Sequence, residues 1–142
     1  MKISTTNVQV RYAETDQMGV VYHANYLIWC EMGRTQLIND LGFRYQDMEE
    51  SGILAPVTNV NLSYKHPAKY GETILVKTWI EQYTGVQTTY GYEITNQNGD
   101  VCAFGTTDHV CVKKDSFRPV PLRRVFPDWH EVYEANKKVT TS

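Results

Sequence analysis

The fold is decided by the run Asn25-Tyr26-Leu27-Ile28-Trp29-Cys30 and by the residues that follow it up to Gly42. Between residues 26 and 41 there is no proline and only one glycine, Gly33, which predicts a helix. Asn25 is a good N-cap, and Gly42 is a good left-handed stop. The first half is apolar on all sides, which is typical of a buried helix. Gly33 costs about 1 kcal/mol of helix propensity relative to alanine, so we expect another backbone to approach closely there.

Beyond residue 53 the apolar residues alternate with a period of two, which indicates strands. The joins between these segments are short and contain turn residues, so sequential strands should pair antiparallel. The sequence therefore predicts an α+β fold in which a curved five-stranded antiparallel sheet wraps a long central helix. The five strands are expected over residues 7–12, 59–64, 74–80, 86–94 and 101–112.

The length of 142 residues suits a single domain over 1–142. We expect its core over about residues 5–122, followed by a polar tail over 123–142 that contains at most a short surface helix. The formal net charge of −2 argues against nucleic acid as a partner, because phosphate binding needs a basic surface. No stretch resembles a signal peptide or a membrane span, so we expect a cytoplasmic location. An open sheet also leaves edge strands, which a second copy of the chain would cover most simply.

The cysteines and histidines show no spacing typical of a metal site, and we expect neither a metal nor a cofactor. Cys30, Cys102 and Cys111 are odd in number and unpaired in spacing. We interpret them as small buried apolar residues.

The residues with chemical potential are concentrated in 11–26, which read Arg-Tyr-Ala-Glu-Thr-Asp-Gln-Met-Gly-Val-Val-Tyr-His-Ala-Asn-Tyr. Asp16 offers a carboxylate as base or nucleophile. Gly19 lets the backbone approach a bound group, and the free N–H groups at the helix start can hold a developing oxyanion. His23 can donate a hydrogen bond or move a proton. The residues alone leave another interpretation open, in which Asp16 bonds its own turn and His23 bonds a carbonyl.

This stretch resembles the 4-hydroxybenzoyl-CoA thioesterase family of hot-dog proteins, nearest to its bacterial branch associated with the Tol–Pal gene cluster. The resemblance covers about residues 8–122. Further, weaker matches lie in the turn at 66–72 and in the closing segment at 113–121. The specific elements are Tyr12-Ala13-Glu14-Thr15-Asp16, Gly19-Val20-Val21-Tyr22-His23 and Asn25-Tyr26.

The resemblance implies a hot-dog fold that hydrolyses an acyl-CoA thioester to free acid and CoA, at a site between two subunits. The family's catalytic aspartate falls on Asp16, and its tyrosine and histidine fall on Tyr12 and His23. The implied partners are acyl-CoA and further copies of the chain, as a dimer and a dimer of dimers. Candidate substrate-binding residues are Gly19, Val20, Asn25, Tyr26, Glu31, Tyr64 and Lys65.

Two other carboxylates and two other functions compete with this interpretation. Glu31 corresponds to the helix acid used by another hot-dog branch, although its spacing from Arg34 favours an ion pair. Glu14 is expected to be a solvated or ion-paired residue at the end of a strand. The alternative functions are hydrolysis of acyl-carrier-protein thioesters and binding of acyl-CoA without turnover. A hot-dog dehydratase is disfavoured because Met18 stands where that class has an asparagine.

Overall fold

The structure is a computed structural model that describes residues 1–139, so the last three residues of the expected tail lie outside the described part. The strands are β1 (Ser4–Gln9), β2 (Ile53–Leu54), β3 (Val57–Tyr64), β4 (Thr73–Tyr83), β5 (Gln87–Thr95), β6 (Val101–Val110) and β7 (Val112–Lys113). The helices are α1 (Ala24–Asp40), α2 (Tyr45–Glu50), α3 (Leu122–Val125) and α4 (Pro127–Asn136), with a 3₁₀ turn at Tyr12–Glu14. None of the described helices is long and apolar enough to cross a membrane.

Five strands form one antiparallel sheet in the order β1-β4-β5-β6-β3, and β2 pairs separately with β7. Helix α1 packs mainly against β1 and β4. This is the expected α+β hot-dog arrangement of a central helix and a five-stranded sheet. The expected last strand is interrupted at Cys111, and the first strand begins three residues earlier than expected.

Gly33 marks the closest approach between α1 and β4. A Cβ atom at this position would overlap Oγ1 of Thr78 and lie 2.8 Å from Cγ1 of Val76. The expected close approach therefore occurs, but it involves side chains of the strand rather than its backbone. The glycine lets the helix lie close to the sheet at a small cost in helix propensity.

The start of α1 differs from the prediction in two respects. His23 occupies the N-cap position, whereas Asn25 lies inside the first turn and its side-chain amide donates to the Glu14 carbonyl at 2.9 Å. The sheet covers only one side of the helix, so the apolar first half is not wholly buried. Leu27, Ile28 and Met32 remain 39%, 48% and 43% exposed.

The chain after Leu122 is not the polar tail that we expected. Helix α4 buries Trp129 and Tyr133 in the main core, where they are 3% and 2% exposed. The Trp129 ring stacks on Phe43 with ring centres 4.8 Å apart. These two aromatic residues are four positions apart in a polar segment, and a helix places such residues on one face. The expectation of a surface helix is therefore wrong for this segment.

Candidate active site

The loop between the 3₁₀ turn and α1 folds back on itself and presents Asp16. Thr15 pairs with Val21, and the Asp16 N–H donates to the Val20 carbonyl at 2.8 Å. Gly19 closes the turn with a φ of +78°, in the left-handed region that glycine favours. No atom lies within 4 Å of the position of a Gly19 Cβ. The backbone angle and the open space above it both suit glycine here.

The two oxygens of the Asp16 carboxylate have different surroundings. Oδ1 accepts the Met18 N–H at 2.8 Å and the Val20 N–H at a longer 3.4 Å. No hydrogen bond to Oδ2 is present within residues 1–139. The turn interpretation of Asp16 is therefore correct for one oxygen. The other oxygen of this partly exposed side chain has no partner among the described residues and is available to a ligand or water.

The second sequence motif holds this loop in place. The Val21 N–H donates to the Ala68 carbonyl at 2.9 Å, and Val20 pairs with Lys69. The Ala68 N–H in turn donates to the Tyr26 hydroxyl at 3.1 Å. Residues 66–72 thus link the loop of Asp16 to the first turn of α1, two segments that the sequence identified separately.

The helix start has both bonded and unbonded N–H groups. The N–H groups of Asn25 and Tyr26 donate to the carbonyls of Tyr22 and His23, at 3.0 and 3.2 Å. The N–H groups of His23 and Ala24 make no hydrogen bond in the described part of the chain. They lie at the positive end of the helix dipole, where an oxyanion is stabilised.

Several predicted residues gather around this helix start. The exposed His23 ring lies 4.4 Å from the Tyr22 ring and 6.2 Å from that of Tyr64, measured between ring centres. Tyr64 also lies 5.3 Å from the buried Tyr26 ring. β3 therefore reaches the helix start at its last residue and brings Tyr64 to His23.

Two predicted residues are placed differently. Tyr12 is 78% exposed and contacts Tyr70 edge-on, with ring centres 5.8 Å apart. Lys65 lies over the Phe104 ring at 5.8 Å, in a depression that it shares with Asn61 and Ser63. Alternate residues of a strand share a face, so this face is the opposite one from Tyr64. Lys65 is thus not brought to the loop of Asp16.

Glu14 has a structural role that the sequence did not reveal. It is 4% exposed, and its carboxylate accepts the Trp29 indole N–H at 2.9 Å and the Arg11 backbone N–H at 2.8 Å. Burial alone would raise its pKa, but these hydrogen bonds and the Arg11 charge outweigh it, so the pKa is lowered. Arg11 does pair with it at 3.5 Å, so the expected ion pair exists, although in a buried setting. Because a helix tryptophan is one of its donors, Glu14 joins the loop to α1.

The expected Glu31–Arg34 ion pair does not form among the described residues. The Arg34 guanidinium instead donates to the Tyr92 hydroxyl at 3.1 Å, while Glu31 stays exposed. Both residues line a cavity of about 270 Å³ between α1, the sheet and α4. Tyr92 is one of the sheet residues that face the helix, so it competes directly with the helix acid for the guanidinium.

A buried chain of hydrogen bonds runs from Arg34 to the wall of this cavity. The Tyr92 hydroxyl bonds Thr107 Oγ1 at 2.7 Å, and Thr107 Oγ1 bonds His109 Nε2 at 2.9 Å. His109 Nδ1 lies 3.1 Å from the Ala55 carbonyl. The Ala55 carbonyl can only accept, so a neutral His109 ring donates through Nδ1 and accepts the Thr107 hydroxyl proton through Nε2. Thr107 Oγ1 then accepts from the Tyr92 hydroxyl. Burial, together with the Arg34 charge, lowers the pKa of His109 to about 4, so the ring is neutral at pH 7.

The fold is that of the hot-dog thioesterases. The chain belongs to the Thioesterase-like superfamily, whose family model matches residues 10–130.

Similar proteins agree on the activity. YneP of Bacillus subtilis strain 168, named as a candidate acyl-CoA thioesterase, is 57% identical over 97% of this chain and 100% of its own length. The 1,4-dihydroxy-2-naphthoyl-CoA hydrolase of Thermosynechococcus vestitus is 28% identical over 84% of this chain and 83% of its own. The crystal structure of a DHNA-CoA thioesterase from Staphylococcus aureus superposes with a TM-score of 0.92 at 48% identity, covering 95% of this chain and 91% of that one. The chain is accordingly a thioester hydrolase of the acyl-CoA thioesterase kind.

Proposed function

We propose that the chain hydrolyses acyl-CoA to free acid and CoA, with Asp16 as the general base or nucleophile. The observation that carries this proposal is the Asp16 Oδ2, which is unbonded within residues 1–139, on a loop that runs directly into a helix start where two N–H groups have no acceptor in the same part of the chain. The thioester carbonyl oxygen would accept hydrogen bonds from the His23 and Ala24 N–H groups. Asp16 would then attack the carbonyl carbon or remove a proton from the attacking water.

The His23 side chain is exposed next to these N–H groups, and we assign it to orienting the substrate or passing a proton. Tyr12 is exposed and makes no hydrogen bond to the Asp16 carboxylate within the described residues, so we assign it to contacting CoA. We keep the placement near the Tol–Pal-associated branch, and a cytoplasmic location, as part of the same proposal.

The working unit in this proposal is a homodimer built on β3 and α1. β3 is an edge strand, and Val60 on it is 42% exposed. The exposed apolar residues of α1, such as Ile28 and Met32, need cover of the same kind. Edge-to-edge pairing of two β3 strands would cover both sets at once. The outer sheet surface with Phe104, 41% exposed, is the candidate contact for a dimer of dimers.

Such pairing would complete the site from two chains. β3 runs from Val57, which lines the cavity, to Tyr64, which lies beside His23. Two such strands paired about a two-fold axis perpendicular to the sheet would run antiparallel, and a register centred between Val60 and Asn61 would place Val57 of one chain opposite Tyr64 of the partner. The cavity of one protomer would then face the Asp16 loop of the other. Glu31, at the rim of the cavity, would thereby reach the site as expected.

The test is release of free CoA thiol from a panel of acyl-CoAs, including 1,4-dihydroxy-2-naphthoyl-CoA, the substrate named for the Thermosynechococcus relative. Asp16→Asn should lose at least roughly 100-fold in turnover while its melting temperature stays near that of the wild type. Asp115→Asn, a change at an exposed aspartate, is the matched control and should keep full turnover. Near wild-type turnover in Asp16→Asn would contradict the mechanism. Loss confined to Glu31→Gln would move the assignment to the helix acid.

The dimer has its own test. Val60→Lys places a charge in the middle of the proposed β3 pair and should yield monomers by light scattering, with loss of turnover. Lys77→Ala, in the sheet but away from β3, should leave the dimer intact. A wild type that is monomeric and fully active would contradict the two-chain site.

Acyl-carrier-protein thioesters remain the second candidate. An acidic carrier protein would need a basic docking surface, and the net charge of −2 does not favour one. Equal turnover of a carrier-bound and a CoA-bound form of the same acyl group would favour that alternative.

A further inference from the structure

Met18 lies at the tip of the turn that carries Asp16. Its backbone N–H donates to Oδ1 of Asp16 at 2.8 Å, the shorter of the two hydrogen bonds that hold this carboxylate. The Met18 side chain is 82% exposed, and the space above the neighbouring Gly19 is open. An accessible thioether therefore belongs to the same residue whose N–H orients the proposed catalytic carboxylate.

Met18 is also the most exposed sulfur-containing residue of the chain. Met1 and Met32 are 57% and 43% exposed, and Met48 is buried. The three cysteines are buried, and burial raises the pKa of one thiol to about 12 and of the other two to about 11. Few of them are thiolates at pH 7, and the thiolate is the reactive form. A water-soluble oxidant should therefore react with Met18 first.

Oxidation of the Met18 thioether changes what this side chain can bond. The sulfur lone pair attacks one oxygen of a hydroperoxide and forms the S–O bond while the O–O bond breaks. The sulfur loses two electrons, and with hydrogen peroxide the departing hydroxide takes up the remaining proton and becomes water. The product is a polar sulfoxide, whose oxygen accepts hydrogen bonds, whereas a thioether sulfur is only a weak acceptor.

The N–H donors of this turn are the ones that hold Asp16. Oδ1 of Asp16 accepts from Met18 and Val20, and the bond from Val20 is already long at 3.4 Å. No further hydrogen bond to this carboxylate is present within residues 1–139. The exposed Met18 side chain is flexible, so a sulfoxide oxygen on it can fold back onto these N–H groups. An acceptor that takes them leaves the carboxylate free to rotate.

We propose that Met18 is a modification site, at which hydroperoxides form a sulfoxide that lowers thioester hydrolysis by displacing the Asp16 carboxylate. This inference rests on the proposed role of Asp16. Because that carboxylate acts in the chemical step, oxidation should lower kcat and leave KM nearly unchanged. A misplacement of about 1 Å can cost about 100-fold, so we expect a loss of at least roughly 10-fold. Methionine sulfoxide reductases should reverse the loss.

The test measures hydrolysis of the acyl-CoA that the wild type turns over fastest, before and after limited treatment with hydrogen peroxide. Mass spectrometry of the peptides should find one added oxygen on Met18 before the other methionines, and kcat should fall in proportion. Each variant is compared with its own untreated sample. Met18→Leu should keep its turnover through the treatment, whereas the matched control Met32→Leu should stay as sensitive as the wild type. Reductases of both sulfoxide epimers should restore the wild type.

Met18→Gln tests the same turn without an oxidant. Glutamine has about the length of methionine and ends in an acceptor oxygen, so this variant should have a lower kcat than Met18→Leu at a similar KM. An equal kcat in the two variants overturns the competition for the N–H groups. Equal losses to peroxide in the wild type and Met18→Leu overturn the proposal, as do earlier oxidation of Met32 and full turnover by protein whose Met18 is oxidised.

A wild type that hydrolyses no acyl-CoA contradicts the thioesterase function instead. The NMR signals of the side-chain carboxyl carbons then test the turn by itself. The Asp16 signal should shift when the wild type is oxidised and stay in place in peroxide-treated Met18→Leu, while that of the exposed Asp115 stays in place in both. An Asp16 signal that does not respond to oxidation of Met18 overturns the proposal.

Discussion

Replacing Glu14 with glutamine should reveal how strongly the buried carboxylate holds the loop to α1. Glutamine keeps the size of the side chain, but one of its two terminal groups is a donor. That amide must face either the Trp29 indole N–H or the Arg11 backbone N–H, which lie 2.9 and 2.8 Å from the carboxylate oxygens. One charge-assisted hydrogen bond is lost, at about 2 kcal/mol. The Arg11 guanidinium adds little, because its side chain is 75% exposed.

For a chain of this length 1 kcal/mol corresponds to about 3 °C in melting temperature, so Glu14→Gln should melt roughly 6 °C lower. Calorimetry at fixed protein concentration measures this shift. Glu93→Gln is the matched control, because Glu93 is 40% exposed and lies 3.7 Å from Lys77, a pair that contributes little. In a Trp29→Phe background the same Glu14→Gln change should cost less, and the difference gives the strength of the indole bond.

The pH dependence provides an independent check. The pKa of Glu14 in the folded chain lies below its ordinary value of 4.5, because its hydrogen bonds and Arg11 outweigh the effect of burial. The stabilisation is therefore fully present above pH 4.5 and is lost as the pH falls through the folded pKa. The gap in unfolding free energy between wild type and Glu14→Gln should be constant near pH 7 and narrow in acid. A gap that persists unchanged in acid, or an equal loss in Glu93→Gln, would refute the assignment.

Two substitutions and one labelling experiment test the packing of the core. Gly33→Ala should destabilise the chain by about 1–3 kcal/mol in chemical denaturation despite the better helix propensity of alanine, because the added methyl overlaps Thr78; an unchanged midpoint would contradict the close approach. Thr78→Val should raise stability by about 1 kcal/mol, since Oγ1 of Thr78 is buried without a partner in the described structure, whereas a loss of stability would mean that the hydroxyl is bonded. The three cysteines should resist thiol reagents until the chain unfolds, because burial raises their pKa values to about 12 for Cys30 and about 11 for the other two; rapid labelling of the native protein would count against this.

The sequence was informative where local pattern determines structure. The uninterrupted apolar run after Asn25 predicted α1, and the alternation after residue 53 predicted the sheet around it. Gly33 stood out because a glycine inside a good helix needs a reason, and the nearby β4 side chains supply that reason. The turn at Asp16 and Gly19 could also be predicted, because its geometry depends on residues only a few positions apart.

The sequence was uninformative where a partner comes from a distant element. Arg34 has an acid three positions away, yet its partner is Tyr92, 58 positions along the chain. Glu14, in the 12–16 motif, accepts a hydrogen bond from Trp29, which lies 15 positions further along the chain. The burial of Glu14 therefore could not be predicted from its sequence neighbours. A glutamate that precedes a loop and has a tryptophan in the following helix is the signal that could have indicated it.

The burial of α4 has a consequence for how the protein is made. Synthesis proceeds from the N-terminus, so the sheet residues can pair before residues 127–136 exist. Until then the Phe43 ring lacks the Trp129 ring that stacks on it, and the Tyr90 hydroxyl lacks its hydrogen-bond partner Tyr133. A chain that stops at Leu122 should therefore bind the hydrophobic dye ANS where the longer chain does not. The cavity beside Arg34 can therefore close only after residues 127–136 have been synthesised.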